Sequence, residues 1–383
     1  MKNWRINGGI KMIYLNNAAT SWPKPNCVGE AIKNSLDELP HSAHRSGFDE
    51  DENNNCRSLI SKLLKIDNQD NIVYTSNATL AINFAIQGYP FDKGDKILTT
   101  CAEHNSVLRP LYYLNINKNI EYEILDVNKE GRIDINTWEE KIKEIRPKMV
   151  IFTHASNVTG AINDAKELSR IAKKYNCVVL LDASQTIGLI DVYPKQWNID
   201  MVAFTGHKYL LGPQGTGGLY VSSDIKLNPI IQGGTGSYSD EEKMPVKLPL
   251  RLEAGTPNDL SFKGLEAAIM WSFQNPINKN NINYLLNKIK KELKNMNIDV
   301  IDVSGETTPV ISFIVDGYDA NEIGEMLKMG FDITCRSGLH CAPLIHKVLK
   351  TSPNGTVRIS LSRFTTEKEI DYFIYALKEI VNG

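Results

Sequence analysis

The chain has 383 residues, an ordinary apolar share and a formal charge of -2. That length exceeds one comfortable hydrophobic core and predicts two domains, and the near-neutral charge removes the electrostatic case for nucleic acid or an anionic membrane surface as partner. No run approaches the roughly 20 apolar residues that span a bilayer. Segment 1–11 is polar, lacks the apolar core of an export signal, and reads as an extension ahead of Met12. Six cysteines (Cys27, Cys56, Cys101, Cys177, Cys335 and Cys341) lack tight paired spacing, which predicts reduced thiols in a cytoplasmic protein.

Short apolar runs at 72–74, 96–99, 149–152, 178–181 and 201–204 alternate with helical patterns, for example 79–86, 138–145 and 164–174. Near-continuous apolar strands separated by helices predict an α/β fold with a mostly parallel sheet covered on both faces. Ligands of such sheets collect at the carboxyl ends of the strands. Beyond about residue 255 the pattern changes to helices at 265–273 and 282–294, a strand at 310–315, a helix, a short loop with Cys341, a strand at 356–360 and a last helix at 367–381. We read these as a large domain over 12–255, whose residues 12–30 pack with the other domain, and a smaller α+β domain over 256–383. The Lys- and Asn-rich stretch 275–297 keeps an apolar stripe at Ile282, Leu285, Leu286, Ile289 and Leu293, which predicts a solvated helix.

The chemistry-bearing residues follow the strands. Lys208 lies in Thr205-Gly206-His207-Lys208, just after the run 201–204. A lysine becomes a nucleophile when a partly buried, polar and cationic setting keeps its amine partly deprotonated, and it then reacts with an aldehyde cofactor. Asp182 ends the run 178–181. A buried carboxylate there would keep a pyridine nitrogen protonated, although Asp182 followed by Gln185 also matches a helix capping box. Asn77, Ala78 and Thr79 open a helix after a strand, where backbone N–H groups suit a phosphate or a simple cap. An imidazole at His104 is expected to stack on a planar ring and shuttle protons as a catalytic residue. Asn157 has the donor to hold a phenolic oxygen and is expected to contact the substrate as well. Gly215-Thr216-Gly217-Gly218 lacks the Lys-Ser/Thr of a phosphate loop and reads as a tight turn.

Taken together these segments resemble the class V aminotransferase group of fold type I pyridoxal-phosphate enzymes, which includes cysteine desulfurases and selenocysteine lyases. The likeness runs from Tyr14-Leu15-Asn16-Asn17-Ala18-Ala19-Thr20 to the last helix, through Ala102-Glu103-His104, Ser156-Asn157-Val158-Thr159-Gly160, Asp182-Ala183-Ser184-Gln185, Thr205-Gly206-His207-Lys208, Glu253-Ala254-Gly255-Thr256-Pro257-Asn258 and Arg336-Ser337-Gly338-Leu339-His340-Cys341-Ala342. The resemblance implies that Lys208 carries pyridoxal 5'-phosphate, Asp182 pairs with its ring nitrogen, Gln185 contacts its hydroxyl and His104 stacks on the ring. It implies that Thr79, Thr205 and His207 hold the phosphate, and that Thr235 reaches the phosphate of a second subunit in a homodimer.

A guanidinium clamps a carboxylate in bidentate fashion. Arg336 and Arg358 are therefore expected to bind an amino-acid substrate, with Cys341 as the thiolate that attacks its sulfur. The implied reaction turns L-cysteine into L-alanine, with a persulfide on Cys341 that passes to an acceptor protein. L-selenocysteine lyase activity, a class V aminotransferase, and a sulfur-relay docking protein with little turnover remain as alternatives. A zinc site from Cys335, His340, Cys341 and His346 fits no common ligand spacing, so no metal is expected, and Cys335 is expected as a strand residue facing the core. Asn16 stands where the family often has Asp. Leu339 replaces a histidine, which implies a less cationic setting for Cys341. His44-Arg45 retains a family pair, beside an unusual acidic, Asn-rich run at 49–55.

Overall fold

The computed structural model describes residues 12–38 and 54–382. The extension 1–11, the pair His44-Arg45 and most of the run 49–55 lie outside them. In chain order the strands and helices are β1 (Ile13–Tyr14), α1 (Asn26–Asp37), α2 (Asn54–Leu64), β2 (Ile72–Thr75), α3 (Ala78–Gly88), β3 (Lys96–Thr100), α4 (Asn105–Lys118), β4 (Glu121–Leu125), α5 (Ile135–Ile145), β5 (Met149–Thr153), α6 (Ala165–Lys174), β6 (Val178–Asp182), α7 (Pro194–Trp197), β7 (Met201–Thr205) and β8 (Gly217–Val221). Then follow α8 (Asp259–Gln274), α9 (Lys279–Asn295), β9 (Asp299–Val300), β10 (Val310–Ile314), α10 (Ala320–Phe331), β11 (Ile333–Thr334), β12 (Arg336–Gly338), α11 (Ile345–Val348), β13 (Thr356–Ser360) and α12 (Glu367–Asn382).

Seven strands form the large sheet in the order β2-β8-β7-β6-β5-β3-β4. Only β8 runs against its neighbours. Strands β5 and β7 are buried along their whole length, because helices cover both faces and leave no side for polar residues. Edge strand β4 escapes the search for apolar runs because Glu121 and Glu123 interrupt it. The flanking helices carry their own start signals: Asp134 accepts from the Thr137 amide at 2.8 Å, and Asp164 from the Glu167 amide at 3.0 Å.

The smaller sheet is antiparallel, in the order β12-β13-β10-β9. Its core joins Phe313, Ile359 and Phe373 with the α9 stripe Ile282, Leu285, Leu286, Ile289 and Leu293. The Lys- and Asn-rich stretch is thus an amphipathic helix, as its spacing predicts. Ile13 and Leu15 join this core from the N-terminal side, and β1 pairs with β11. Helix α8 instead gives Phe262, Leu265 and Ile269 to the core of the large sheet, as do Ala342 and Ile345 just after Cys341. Of these segments, the N-terminal one and the one carrying Cys341 pass the cavity described next.

Candidate active site

A cavity of roughly 210 Å³ opens at the carboxyl ends of β2, β3, β5, β6 and β7. The cavity wall includes His104, Asn157, Asp182, Gln185 and Lys208, each at or just past the end of one of those strands, with Arg336 and Arg358 from the small sheet. Lys208 follows β7 in a turn closed by the Gly212 amide on the Gly206 carbonyl at 2.8 Å. Burial lowers its amine to about 8, with Asp182 opposing the shift and Arg358 and Arg336 reinforcing it. That is the partly deprotonated lysine the sequence context calls for.

Asp182 ends β6 and is buried. Its Oδ1 accepts from the Ser184 amide at 2.9 Å and the Ser184 hydroxyl at 2.5 Å. No helix starts here, so the capping-box alternative is excluded: Gln185 turns away and donates through Nε2 to the Ala18 carbonyl at 3.1 Å. His104 caps α4 by accepting from the Ser106 amide at 3.0 Å. Burial, then the Lys208 cation, pushes its ring down to about 4, against the pull of Asp182. It is a neutral ring at physiological pH.

At the other end of the cavity Asn77 caps α3, taking the Leu80 amide at 2.9 Å. Capping and anion binding are compatible here. The amides of Ala78 and Thr79 precede Leu80 in the first turn, where no intrahelical acceptor exists, and both residues line the cavity. Gly217 permits this arrangement, since a Cβ there would stand 2.8 Å from the Asn77 backbone. Thr205, paired with Gly217 across the β7–β8 ladder, and His207 line the same cavity. Burial lowers His207 to about 4, and its Nδ1 is buried without a partner.

The small sheet supplies the cations. Arg336 and Arg358 sit opposite each other in the antiparallel β12–β13 ladder. Arg358 is buried, donates to the Asn157 carbonyl at 2.8 Å and to Asn16 Oδ1 at 3.3 Å, and keeps Nε unpartnered. Asn16 is neutral, so this buried guanidinium remains an uncompensated positive charge among the described residues. Burial, with Arg336 adding to it, lowers Arg358 to about 10. Arg336 lines the cavity and donates to Cys341 Sγ at 3.1 Å.

The geometry changes one expectation and adds two contacts. The setting of Cys341 is cationic despite Leu339, because Arg336 touches the sulfur directly. His340, adjacent in sequence, points away: its Nε2 lies 2.9 Å from Thr356 Oγ1, and burial followed by the nearby arginines holds its ring well below the usual range. Asn157 spends an amide hydrogen on the His340 carbonyl at 2.7 Å, so it fixes the cysteine loop as well as lining the cavity. Cys335 falls between β11 and β12 and packs against the small core, where burial raises its thiol to about 12. Among the described residues no group of three or more His, Cys, Asp or Glu can hold a metal. Thr235 lies apart from the cavity on an exposed loop, donating to the Ser237 carbonyl at 2.8 Å.

Sequence reasoning passed over Glu103, which is fully buried between Thr100 and the Thr153 amide. Its place beside His104 was the only available signal. It also gave no role to Thr153, Ser106 and Ser184, polar residues at or just past strand ends that line the cavity. Whether the cavity suits pyridoxal phosphate is tested by its unsatisfied atoms. Gln185 Oε1 and His207 Nδ1 are buried without partners, and both residues line the cavity. A planar, hydroxylated pyridine with a phosphate arm would meet both, so the residues present fit the group.

A sequence model of the class-V aminotransferases matches residues 13–373. The chain belongs to the class-V aminotransferase family. It is 32% identical to a probable cysteine desulfurase of Pyrococcus abyssi over 97% of this chain and 95% of the relative. A probable cysteine desulfurase of Methanothermobacter thermautotrophicus is 33% identical, covering 81% of this chain and 79% of its own length. Among solved structures, the apo cysteine desulfurase of Thermococcus onnurineus superposes with a TM-score of 0.87 at 29% identity, over 97% of this chain and 95% of the other. The Escherichia coli cysteine desulfurase CsdA, with an S-sulfonic acid, gives 0.87 at 26% identity and the same coverage. As in this family at large, the fold is that of the fold type I enzymes, and no described helix is long and apolar enough to cross a membrane.

Proposed function

We propose that this chain is a pyridoxal-phosphate-dependent cysteine desulfurase, turning L-cysteine into L-alanine and leaving the sulfur as a persulfide on Cys341. The observation that carries the reading is the contact of Arg336 with Cys341 Sγ. It joins a nucleophile to a carboxylate-binding cation on the wall of a cavity whose floor holds a lysine lowered to about 8. The likeness to relatives named cysteine desulfurases supports it.

In this reading Lys208 carries the cofactor, Asp182 faces its ring nitrogen, Gln185 its hydroxyl and His104 its ring face. The α3 end, with Asn77, Ala78, Thr79, Thr205 and His207, takes the phosphate. Thr235 serves the corresponding site of a second copy in a homodimer. Bound there, pyridoxal phosphate supplies an electron sink at the substrate α-carbon. Arg358 and Arg336 hold the substrate carboxylate, replacing water around the uncompensated charge of Arg358. Lys208 Nζ, freed when the substrate amine takes its place, accepts the α-proton. The Cys341 thiolate attacks the substrate sulfur, so that an S–S bond forms as the Cβ–S bond breaks. The β-carbon takes up a proton, Lys208 Nζ returns its proton to the α-carbon, and the product leaves as L-alanine while Cys341 keeps the persulfide. Because the loop carrying Cys341 is short, the persulfide passes to a thiol brought by an acceptor protein.

The test is alanine formation from L-cysteine by the wild-type protein, Lys208→Ala and Cys341→Ala. Alanine and a persulfide located on Cys341 by mass spectrometry are expected only from the wild type. Alanine from cysteine in Cys341→Ala, or an α-keto acid in place of alanine, would overturn the proposal.

A further inference from the structure

The two cavity arginines are not equivalent. Arg358 is fixed by two oxygen acceptors, the Asn157 carbonyl and Asn16. Arg336 has one hydrogen-bond partner among the described residues, and it is Cys341 Sγ. Arg336 lines the cavity, whereas Cys341 does not. The sulfur is therefore turned onto the guanidinium instead of into the space where a substrate sulfur would stand.

The backbone around Cys341 leaves little room for a moving loop. His340 and Cys341 both adopt left-handed conformations, with φ of 51° and 60°, which non-glycine residues hold only when their surroundings impose them. Those surroundings are present. The His340 carbonyl accepts from Asn157 Nδ2 at 2.7 Å, the Cys341 carbonyl from the Asn105 amide at 2.7 Å, and the Ala342 amide closes on the Leu339 carbonyl at 2.9 Å. Ala342 and Ile345 are sunk in the large core. The freedom that remains lies in the side chains of Cys341 and Arg336.

Building on the desulfurase reading, we propose that Arg336 is a latch. It holds Cys341 Sγ off the cavity until a substrate carboxylate takes over its guanidinium, and the sulfur then rotates inward to attack. Arg336 is a positioning residue for the nucleophile in addition to a carboxylate ligand. The exchange requires that the other charges facing Cys341 stay in place, and they do: Arg358 is anchored and Lys208 is enclosed, while the His340 and His104 rings are neutral and provide no rival cation. The latch lets the enzyme keep its thiol engaged when no amino acid is bound, so that reagents meet a sulfur whose lone pair is occupied.

The test uses L-alanine, which has the carboxylate but no sulfur, on the holoenzyme. Cys341 alkylation by iodoacetamide is followed by mass spectrometry at pH 9.5, above the ordinary thiol range, so that the rate reports access more than ionisation. Alanine binding is followed separately by the cofactor absorbance. A hydrogen bond to a charged group favours the latched state by about tenfold, so saturating alanine is expected to speed alkylation severalfold, up to about that factor. Simple occupation of the cavity would slow it. Arg336→Gln is expected to react at the fast rate without alanine and to be unmoved by it. Absorbance that shows alanine bound while wild-type alkylation is unchanged or slower overturns the latch and leaves the desulfurase reading standing. So does Arg336→Gln reacting at the resting wild-type rate. A protein whose absorbance shows no cofactor fails the desulfurase reading first.

Discussion

Replacing Glu103 by glutamine isolates one buried carboxyl at the edge of the site. Glu103 is fully buried, its Oε1 accepts from Thr100 Oγ1 at 2.6 Å and the Thr153 amide at 3.0 Å, and its Oε2 has no partner. Burial raises the carboxyl from 4.5 to about 8, the two hydrogen bonds oppose the rise, and Asp182 adds to it. The folded protein thus keeps a proton that the unfolded chain releases above 4.5. Stability linked to this group is complete below 4.5, falls as the pH rises, and is fully lost above about 8. The difference, 8 - 4.5 = 3.5 units, corresponds to on the order of 4–5 kcal/mol at about 1.36 kcal/mol per unit.

Glutamine keeps the acceptor for the Thr153 amide and cannot ionise. In a chain of this size about 1 kcal/mol moves the unfolding midpoint by roughly 2 °C. Thermal unfolding of wild type and Glu103→Gln from pH 5 to pH 9 is therefore expected to diverge by roughly 10 °C, with the wild type falling behind as pH rises. Midpoints that run parallel across that range would refute the reasoning, because they would mean that Glu103 is ionised or hydrated in the fold. At neutral pH the protonated Glu103 adds no second negative charge beside Asp182, which keeps the field at the cavity floor set by one carboxylate and the Lys208 amine.

Two further outcomes follow from the same geometry. The rate at which cofactor-free protein takes up pyridoxal phosphate is expected to rise with pH through about 8 as the Lys208 amine loses its proton, and to fall by about tenfold per unit below that; absorbance during loading reads it, and a flat profile from pH 6 to 9 would contradict it. Asn77→Ala removes the cap on the Leu80 amide and is expected to cost about 1 kcal/mol of stability, with weakened cofactor retention. Thermal unfolding and dialysis against cofactor-free buffer measure the two effects separately.

Much of the site is legible in the chain order because its residues act locally. An apolar run ending in Asp182, or in Thr205 with Lys208 three residues on, must place those groups at the carboxyl end of a buried parallel strand, and helix starts such as Asn77 and His104 follow the same rule. Residues whose meaning depends on distant partners are harder to read. Gln185 looked like half of a capping box until Ala18, from the far N-terminus, took its amide. Glu103 shows nothing of its buried proton without Thr153, which arrives fifty residues later. Leu339 pointed to a weaker positive setting for Cys341, because a neighbour in sequence was taken as a neighbour in space.

The alternation of apolar strands and amphipathic helices is enough to specify a mostly parallel sheet with a ligand site at its strand ends, since each period is a local property of the chain. The relation of Arg336, Arg358 and Cys341 is different in kind. It depends on the antiparallel register of β12 with β13, on a left-handed pair of residues pinned by Asn157 and Asn105, and on a short loop sunk into the core of the other sheet. Packing between segments hundreds of residues apart chose the partner of the sulfur, and no local pattern could have done so.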